Sequence, residues 1–238
     1  MNKVLSIVIP AFNEAQSIET LLLKIPEFSR FNLKIFLIDD GSTDNTPELA
    51  RNLGATVKSN SKNLGLGRTF KIGLYHALKE GSDVIVILDG DGQYNPRDIN
   101  QLINPIVLNK ADFVIANRFL GNYTPEMSIK KMYANKIVSI FISNVLLKSN
   151  ETYDVQSSFR AFNTKFGKFL YEKLGGKYNY AQEMFIIATL YGYKIKQIPI
   201  KCYNRAYGKS KLIKSPIVYL IKILYVTFKT YFKIRIYR

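Results

Sequence analysis

The sequence predicts an α/β protein whose central sheet is mostly parallel and carries helices on both faces. Two observations lead there. Short apolar runs alternate with helical patterns through the first half of the chain, and each run is bounded by Gly, Asn or Asp. The chain has 238 residues, 47% of them hydrophobic, enough for one large core and too apolar for a disordered chain.

The strands read from these runs are Val4 to Ile9, Lys34 to Ile38, Val84 to Leu88 and Phe113 to Ile115. Between them lie helical patterns. Asn13-Glu14 opens Ser17 to Ile25, Thr43 precedes Pro47 to Leu53, Gly67 precedes Phe70 to Leu78, and Pro96 opens Ile99 to Val107. After Asn117 the alternation becomes irregular. A long helix is expected from Ile129 to Leu147, a helix from Ala181 to Leu190, a strand from Tyr193 to Ile200 and a final helix from Pro216 to Phe232. The expected organisation is one domain over residues 1–214, carrying a basic amphipathic extension over 215–238.

Thirty-four Lys and Arg against eighteen Asp and Glu give a formal net charge of +16, which points to anionic partners. A lone Cys202 excludes an internal disulfide framework, and a lone His76 argues against a His-rich zinc site. A reducing, cytosolic setting fits. Val4 to Pro10 is too short for a signal-peptide core or a bilayer span and reads as a first strand.

In an open α/β sheet, ligands bind beyond the carboxyl ends of the strands, and the polar motifs stand there. Leu88-Asp89-Gly90-Asp91-Gly92-Gln93 ends a strand in two carboxylates and a side-chain amide. Oxygen ligands in a tight turn suit a hard divalent cation completed by water and substrate phosphates, although an ordinary Asp-Gly turn has the same sequence. Ile38-Asp39-Asp40-Gly41-Ser42-Thr43-Asp44 is a second acidic strand end, able to accept hydrogen bonds from a base or ribose or to cap a helix. Ile9-Pro10-Ala11-Phe12-Asn13-Glu14 ends the first strand in groups that cap a helix or face a ligand. Asn63-Leu64-Gly65-Leu66-Gly67 is not a dinucleotide fingerprint, because Phe70 takes the place of the third glycine.

In this order the four segments resemble the family 2 glycosyltransferases, at Pro10, Asn13, Glu14, Asp39 to Asp44, Asn63, Gly65 and Asp89 to Gln93. The resemblance implies a GT-A fold. It also implies donor-nucleotide binding by Pro10, Asn13, Glu14, Asp39, Asp40 and Asp89, and Mg2+ or Mn2+ held by Asp89, Asp91 and Gln93. Further on, Asp154-Val155-Gln156-Ser157-Ser158-Phe159-Arg160 is similar to a segment of dolichol-phosphate mannosyltransferases and related polyprenyl-phosphate hexosyltransferases. So are Gln182-Glu183-Met184 and Ile198 through Arg205, Gly208, Ser210 and Lys211. Ser158 stands where that family usually has Gly, Lys131 near the place of an Arg, and Asn117-Arg118 for Ser-Arg.

The resemblance implies inverting transfer of mannose or glucose from GDP-mannose or UDP-glucose to dolichyl or polyprenyl phosphate. Asp91, Arg118 and Arg160 are the expected catalytic residues, and Arg118, Lys131, Ser157, Arg160, Arg205 and Lys211 the expected acceptor-phosphate ligands. A phosphate monoester is already largely dianionic at pH 7, so no general base is required. For a hydroxyl acceptor, Asp154 or Glu183 would be the base.

In the final helix, Lys222, Lys229 and Lys233 fall on one stripe amid apolar residues, an interfacial rather than a spanning pattern. Lys130, Lys131 and Lys136 beside Ile137, Ile140 and Phe141 offer a second surface. The expected location is peripheral, on the cytoplasmic face of a membrane, with a membrane-anchoring subunit as a further partner. The competing readings are a family 2 transferase acting on a sugar hydroxyl and a basic nucleic-acid binder. The latter is disfavoured by the acidic loops and the lack of an RNA-binding motif. A processive synthase is disfavoured because the chain has no Trp.

Overall fold

A computed structural model describes residues 3–120, 129–175, 180–205, 207 and 216–237. Strand β1 (Lys3–Ala11) pairs in parallel with β2 (Phe31–Asp39) on one side and β4 (Val84–Ile87) on the other, and β3 (Thr56–Ser59) adds in parallel to β2. Strand β6 (Arg160–Asn163) runs antiparallel between β4 and β5 (Phe113–Asn117), and β7 (Ile195–Pro199) closes the sheet in parallel with β5. The seven strands lie in the order β3-β2-β1-β4-β6-β5-β7. The order reverses at β1, so a crevice opens past the carboxyl ends of β1, β2 and β4, the place where such sheets receive ligands.

The helices are α1 (Ala15–Leu23), α2 (Thr46–Asn52), α3 (Leu66–Lys79), α4 (Ile99–Val107), α5 (Ile129–Ile140), α6 (Thr164–Lys173), α7 (Tyr180–Leu190) and α8 (Pro216–Tyr237). Strand alternation sends Leu5, Ile7 and Ile9 to a core shared with Ile18 and Leu21 of α1, Ala50 of α2 and Leu102 of α4. Val8 points to the opposite core, with Phe70 and Leu74 of α3, Phe166 of α6 and Phe185 of α7. Each such buried side chain contributes roughly 1.5–3 kcal/mol over its exposed state. Helix α3 lies close to the sheet because Gly73 has no side chain: a Cβ there would stand 2.3 Å from Val8 Cγ1.

The expected strands and helices are present, together with three elements absent from the sequence reading. Strand β3 is a four-residue edge with little apolar pattern. Strand β6 begins with Arg160, a residue whose charge masks a strand. Helix α6 carries a readable signal, since Asn163 caps it by accepting from Phe166 N at 2.9 Å. The helix expected over 129–147 changes pitch at Phe141 and finishes as a π-helical turn, Phe141–Leu146. Polar side chains tie that turn to the following loop: Ser143 Oγ accepts from Tyr153 N, and Asn144 Oδ1 accepts from Thr152 Oγ1.

Helix α8 runs five residues past the expected Phe232 and has two faces, one buried and one exposed and apolar. Ile223, Thr227, Thr230 and Ile234 are buried, and α8 lies against α7. Val218, Ile221, Tyr225, Phe228, Phe232 and Ile236 are exposed. At 100° per residue these faces lie on opposite sides of the helix, and Lys222, Lys229 and Lys233 flank the exposed one. No helix among the described residues is long and apolar enough to cross a membrane.

Candidate active site

The carboxyl end of β4 delivers Asp89 and Asp91, as the strand pattern requires. Asp89 is half-buried, accepts a hydrogen bond from Ser158 Oγ on Oδ2, and leaves Oδ1 enclosed without a partner. Burial first, then the neighbouring Asp91 charge, push its carboxyl up to about 7, against the pull of Ser158 and Arg205. A buried acceptor without a donor costs about 1–3 kcal/mol, a cost that a bound ion or water would relieve. Asp91 Oδ1 accepts from Gln93 N at 3.1 Å, while Gln93 Nε2 donates to Tyr203 O at 3.1 Å, leaving the amide oxygen as the atom to coordinate. Ser17 Oγ fixes the turn by donating to Gly90 O at 2.7 Å.

An all-oxygen donor set with one orphaned carboxylate oxygen fits a hard divalent ion. Among the described residues no cluster of three or more His, Cys, Asp or Glu side chains could hold a metal alone. Substrate phosphates and water would therefore complete the coordination.

The first two acidic motifs are knitted together by backbone donors. Asn13, with φ of 53°, accepts from Thr43 N at 2.7 Å, and its own N–H donates to Ser42 Oγ at 2.8 Å. Asp39 Oδ1 accepts from Ser42 N at 2.9 Å. Asp40 is committed more fully: Oδ1 takes Leu64 N at 2.8 Å and Asn60 Nδ2 at 3.0 Å, and Oδ2 takes Gly65 N at 2.9 Å. Asp40, expected to bind nucleotide, thus holds the 60–65 loop in place. Gly41, with φ of +80°, is required beside that loop, where a Cβ would stand 2.8 Å from the Lys62 carbonyl carbon. A cleft opens between these segments, lined by Asn13, Glu14, Ser17, Asp44, Arg205 and Tyr207. Pro10, expected beside the nucleotide, lies in β1 next to Ile38 of β2, and its carbonyl backs Gly90.

The expected cations of the second half separate into two groups. Arg160 is wholly buried, and its guanidinium donates to the carbonyls of Ser157, Val155 and Ala181. Burial pulls its pKa down to about 10, so it remains charged at neutral pH. Arg118 is buried in a bidentate pair with Asp154, Nε to Oδ2 at 2.6 Å and Nη2 to Oδ1 at 2.8 Å. Burial works to lower its pKa, and the Asp154 charge outweighs it, raising it well above the ordinary value. Ser157 is buried, with its hydroxyl 3.2 Å from Tyr94 OH. Arg160, Arg118 and Ser157 share one feature: each is buried, with hydrogen bonds directed into the protein. They build the loop that carries Ser158.

Arg205 does reach the site, its Nη2 donating to Glu14 Oε1 at 3.0 Å and Asp91 Oδ2 at 3.2 Å. Lys131 is half-buried on α5; burial pushes the nearby Cys202 thiol up to about 11, against the pull of Arg118 and, less, of Lys131. Lys211 lies outside the described residues, as do Gly208 and Ser210. Sequence reasoning missed Ser158 as the partner of Asp89, Ser17 as the clamp on Gly90, and Asp154 as the partner of Arg118. The replacement of Gly by Ser was the visible signal for the first. Residue 158 is not among those with positive φ, so no glycine is needed there.

Residues 6–168, more than half of the chain, match Glycosyl transferase family 2. The chain belongs to glycosyltransferase family 2. It is 30% identical over 246 residues to the UDP-N-acetylglucosamine–dolichyl-phosphate N-acetylglucosaminyltransferase of Methanococcus voltae, covering 94% of this chain and 96% of that one. It is 24% identical over 220 residues to the polyprenol monophosphomannose synthase of Mycolicibacterium smegmatis, with 89% and 82% covered. The crystal structure of glucosyl-3-phosphoglycerate synthase from Mycobacterium tuberculosis, in complex with Mn2+, UDP and phosphoglyceric acid, superposes with a TM-score of 0.72. That match has 19% identity and covers 96% of this chain and 78% of that one. This family 2 glycosyltransferase has the GT-A fold, and its chemistry is glycosyl transfer.

Proposed function

We propose that this glycosyltransferase moves a hexosyl group, mannose or glucose, from a nucleotide-diphosphate sugar to dolichyl or polyprenyl phosphate, with inversion at the anomeric carbon. The observation that carries the reading is the state of the carboxylates that a hydroxyl acceptor would need. Asp154 is buried in its ion pair with Arg118, and Glu183 accepts from Gly175 N at 2.8 Å through Oε1. Their engagement favours an acceptor that arrives already ionised, as a phosphate monoester does. The names of the two relatives, a dolichyl-phosphate transferase and a polyprenol monophosphomannose synthase, agree with that class of acceptor.

Asp89, Asp91 and Gln93 hold Mg2+ or Mn2+ in this reading, and the ion supplies neutralisation of charge on the departing diphosphate. Asn13, Glu14 and Asp39 bind the nucleotide in this reading. Arg205, Lys131 and Lys211 bring the acceptor phosphate up against the repulsion of the donor diphosphate. In-line attack on an oxocarbenium-like transition state converts an α-linked donor into a β-linked lipid phosphate.

A lipid acceptor also gives the exposed apolar surface a role. Ile129, Tyr133, Ile137 and Ile140 on α5 and the outer stripe of α8 are exposed, and the Phe141 and Phe228 rings, 6.1 Å apart, join the two. The segment 215–238 serves as an interfacial element, Lys-flanked and seated on the headgroups at the cytoplasmic face, alone or with an anchoring subunit. Incubating the purified chain and Mn2+ with GDP-mannose, UDP-glucose or UDP-N-acetylglucosamine and a short prenyl phosphate should yield a solvent-extractable glycolipid with mannose or glucose. Glycosylation of a plain sugar alcohol with none of the prenyl phosphate would overturn the assignment.

A further inference from the structure

Arg205 sits between carboxylates that come from different strand ends. Its Nη2 lies 3.0 Å from Glu14 Oε1 and 3.2 Å from Asp91 Oδ2, with the three side chains 18%, 11% and 12% exposed. Asp91 is also one of the two carboxylates assigned to the divalent ion. A guanidinium and a divalent cation on one carboxylate repel each other strongly in a site this closed. The backbone just before Arg205 is anchored independently of its side chain, because Tyr203 N donates to Gln93 O at 2.9 Å while Tyr203 O accepts from Gln93 Nε2 at 3.1 Å. The side chain can therefore change partners while its base stays fixed to the metal-binding turn.

We infer that Arg205 is an exchangeable counter-ion, holding Asp91 in the empty protein and passing to the acceptor phosphate once the divalent ion and nucleotide take that carboxylate. The inference rests on the metal assignment above and adds a coupling between the two substrates. With Arg205 bound to Asp91, the acceptor lacks a ligand and the metal meets a competitor. With the donor complex seated, the same guanidinium is turned over to the second anion. Such coupling is reciprocal, so donor and acceptor each tighten the other's binding. It also keeps an arriving acceptor from engaging before the sugar is present.

The test is a binding measurement. The full chain is titrated with Mn2+ alone, read by the loss of free-ion electron paramagnetic resonance signal, in wild type, Arg205→Gln, Arg205→Lys and Asp91→Asn. Thermal melts certify that each is folded. Arg205→Gln should bind Mn2+ about tenfold more tightly, having lost the competing charge, and Arg205→Lys should stay near wild type. In a second titration, Mn2+ with UDP, and separately with GDP, should strengthen binding of a short prenyl phosphate to wild type and fail to do so in Arg205→Gln. Unchanged or weaker Mn2+ binding by a folded Arg205→Gln, while Asp91→Asn abolishes it, overturns the exchange and leaves the metal assignment standing. If wild type takes up no Mn2+ even with a nucleoside diphosphate, the metal assignment falls and this inference with it.

Discussion

In the first half of the chain, Asp39, Asp89 and Asp91 stand at parallel strand ends with backbone N–H groups and hydroxyls arranged around them, and Asp89 keeps an unsatisfied oxygen. Past the acidic turns, Arg118 and Arg160 turn inward, the first pairing with Asp154 and the second donating to backbone carbonyls. The contrast has a geometric origin. A short carboxylate stays where its strand end puts it, whereas a long Arg can reach back into the protein and staple an irregular loop. A cation inside a recognisable motif is therefore weaker grounds for a ligand contact than a carboxylate at a strand end.

The largest test of that contrast is to remove the staples. Arg160→Met should cost about 3–5 kcal/mol, since three carbonyls lose a charged donor, and Arg118→Met a similar amount by stranding the buried Asp154. Urea unfolding gives both values. Adding Asp154→Leu to Arg118→Met should recover a large part of the loss, because a pair replaced by apolar groups leaves no uncompensated charge. An Arg160→Met protein that unfolds like wild type while losing only prenyl-phosphate binding would restore Arg160 to the acceptor site and erase the distinction.

How much was legible follows the same line. The parallel core and its acidic turns were readable because Val, Ile and Leu runs ending in Asp-Gly have few folded solutions, and β1, β2 and β4 lie where the runs put them. Strand β6 was not, because its first residue is a buried Arg whose satisfaction comes from Val155, Ser157 and Ala181, residues brought together only in the folded chain. Neither was the fate of Asp40, whose three donors lie some twenty or more residues away, at Asn60, Leu64 and Gly65. The Lys stripe of α8 was readable from spacing. That its opposite side is packed, with Thr227 and Thr230 among the buried residues, was not.

A smaller effect concerns the apolar residues that remain on the surface beside the lysines of α8. Replacing Ile221, Tyr225 and Phe232 together by Gln should lower partitioning to anionic lipid vesicles by at least about tenfold, with each side chain forfeiting roughly 1 kcal/mol or more of apolar burial. The melting temperature should hardly move, because all three are exposed. Vesicle sedimentation checks the first outcome and calorimetry the second. Loss of folding with undiminished vesicle binding would mean that the outer stripe of α8 serves the protein interior and that the lipid contact lies elsewhere.

The smallest expected change tests the hydroxyl by which Ser158 reaches the acidic turn of the first half. Ser158 donates to Asp89 Oδ2, a bond that favours the ionised carboxylate against burial and the Asp91 charge. Ser158→Gly removes the donor. Residue 158 is not among those with positive φ, so glycine brings no conformational relief there to offset the loss. The Asp89 carboxyl should then rise above about 7, leaving less of it ionised at neutral pH. Mn2+ affinity at pH 7 should fall by about tenfold, the usual scale for losing a partner of a metal ligand, and should recover as the pH is raised through the new value. Titrations of both proteins at pH 6, 7 and 8 read the effect. An affinity ratio that stays at unity across that range would mean that Ser158 only fills the space of the missing glycine and that Arg205 and Tyr203 carry the link between the two halves at the metal turn.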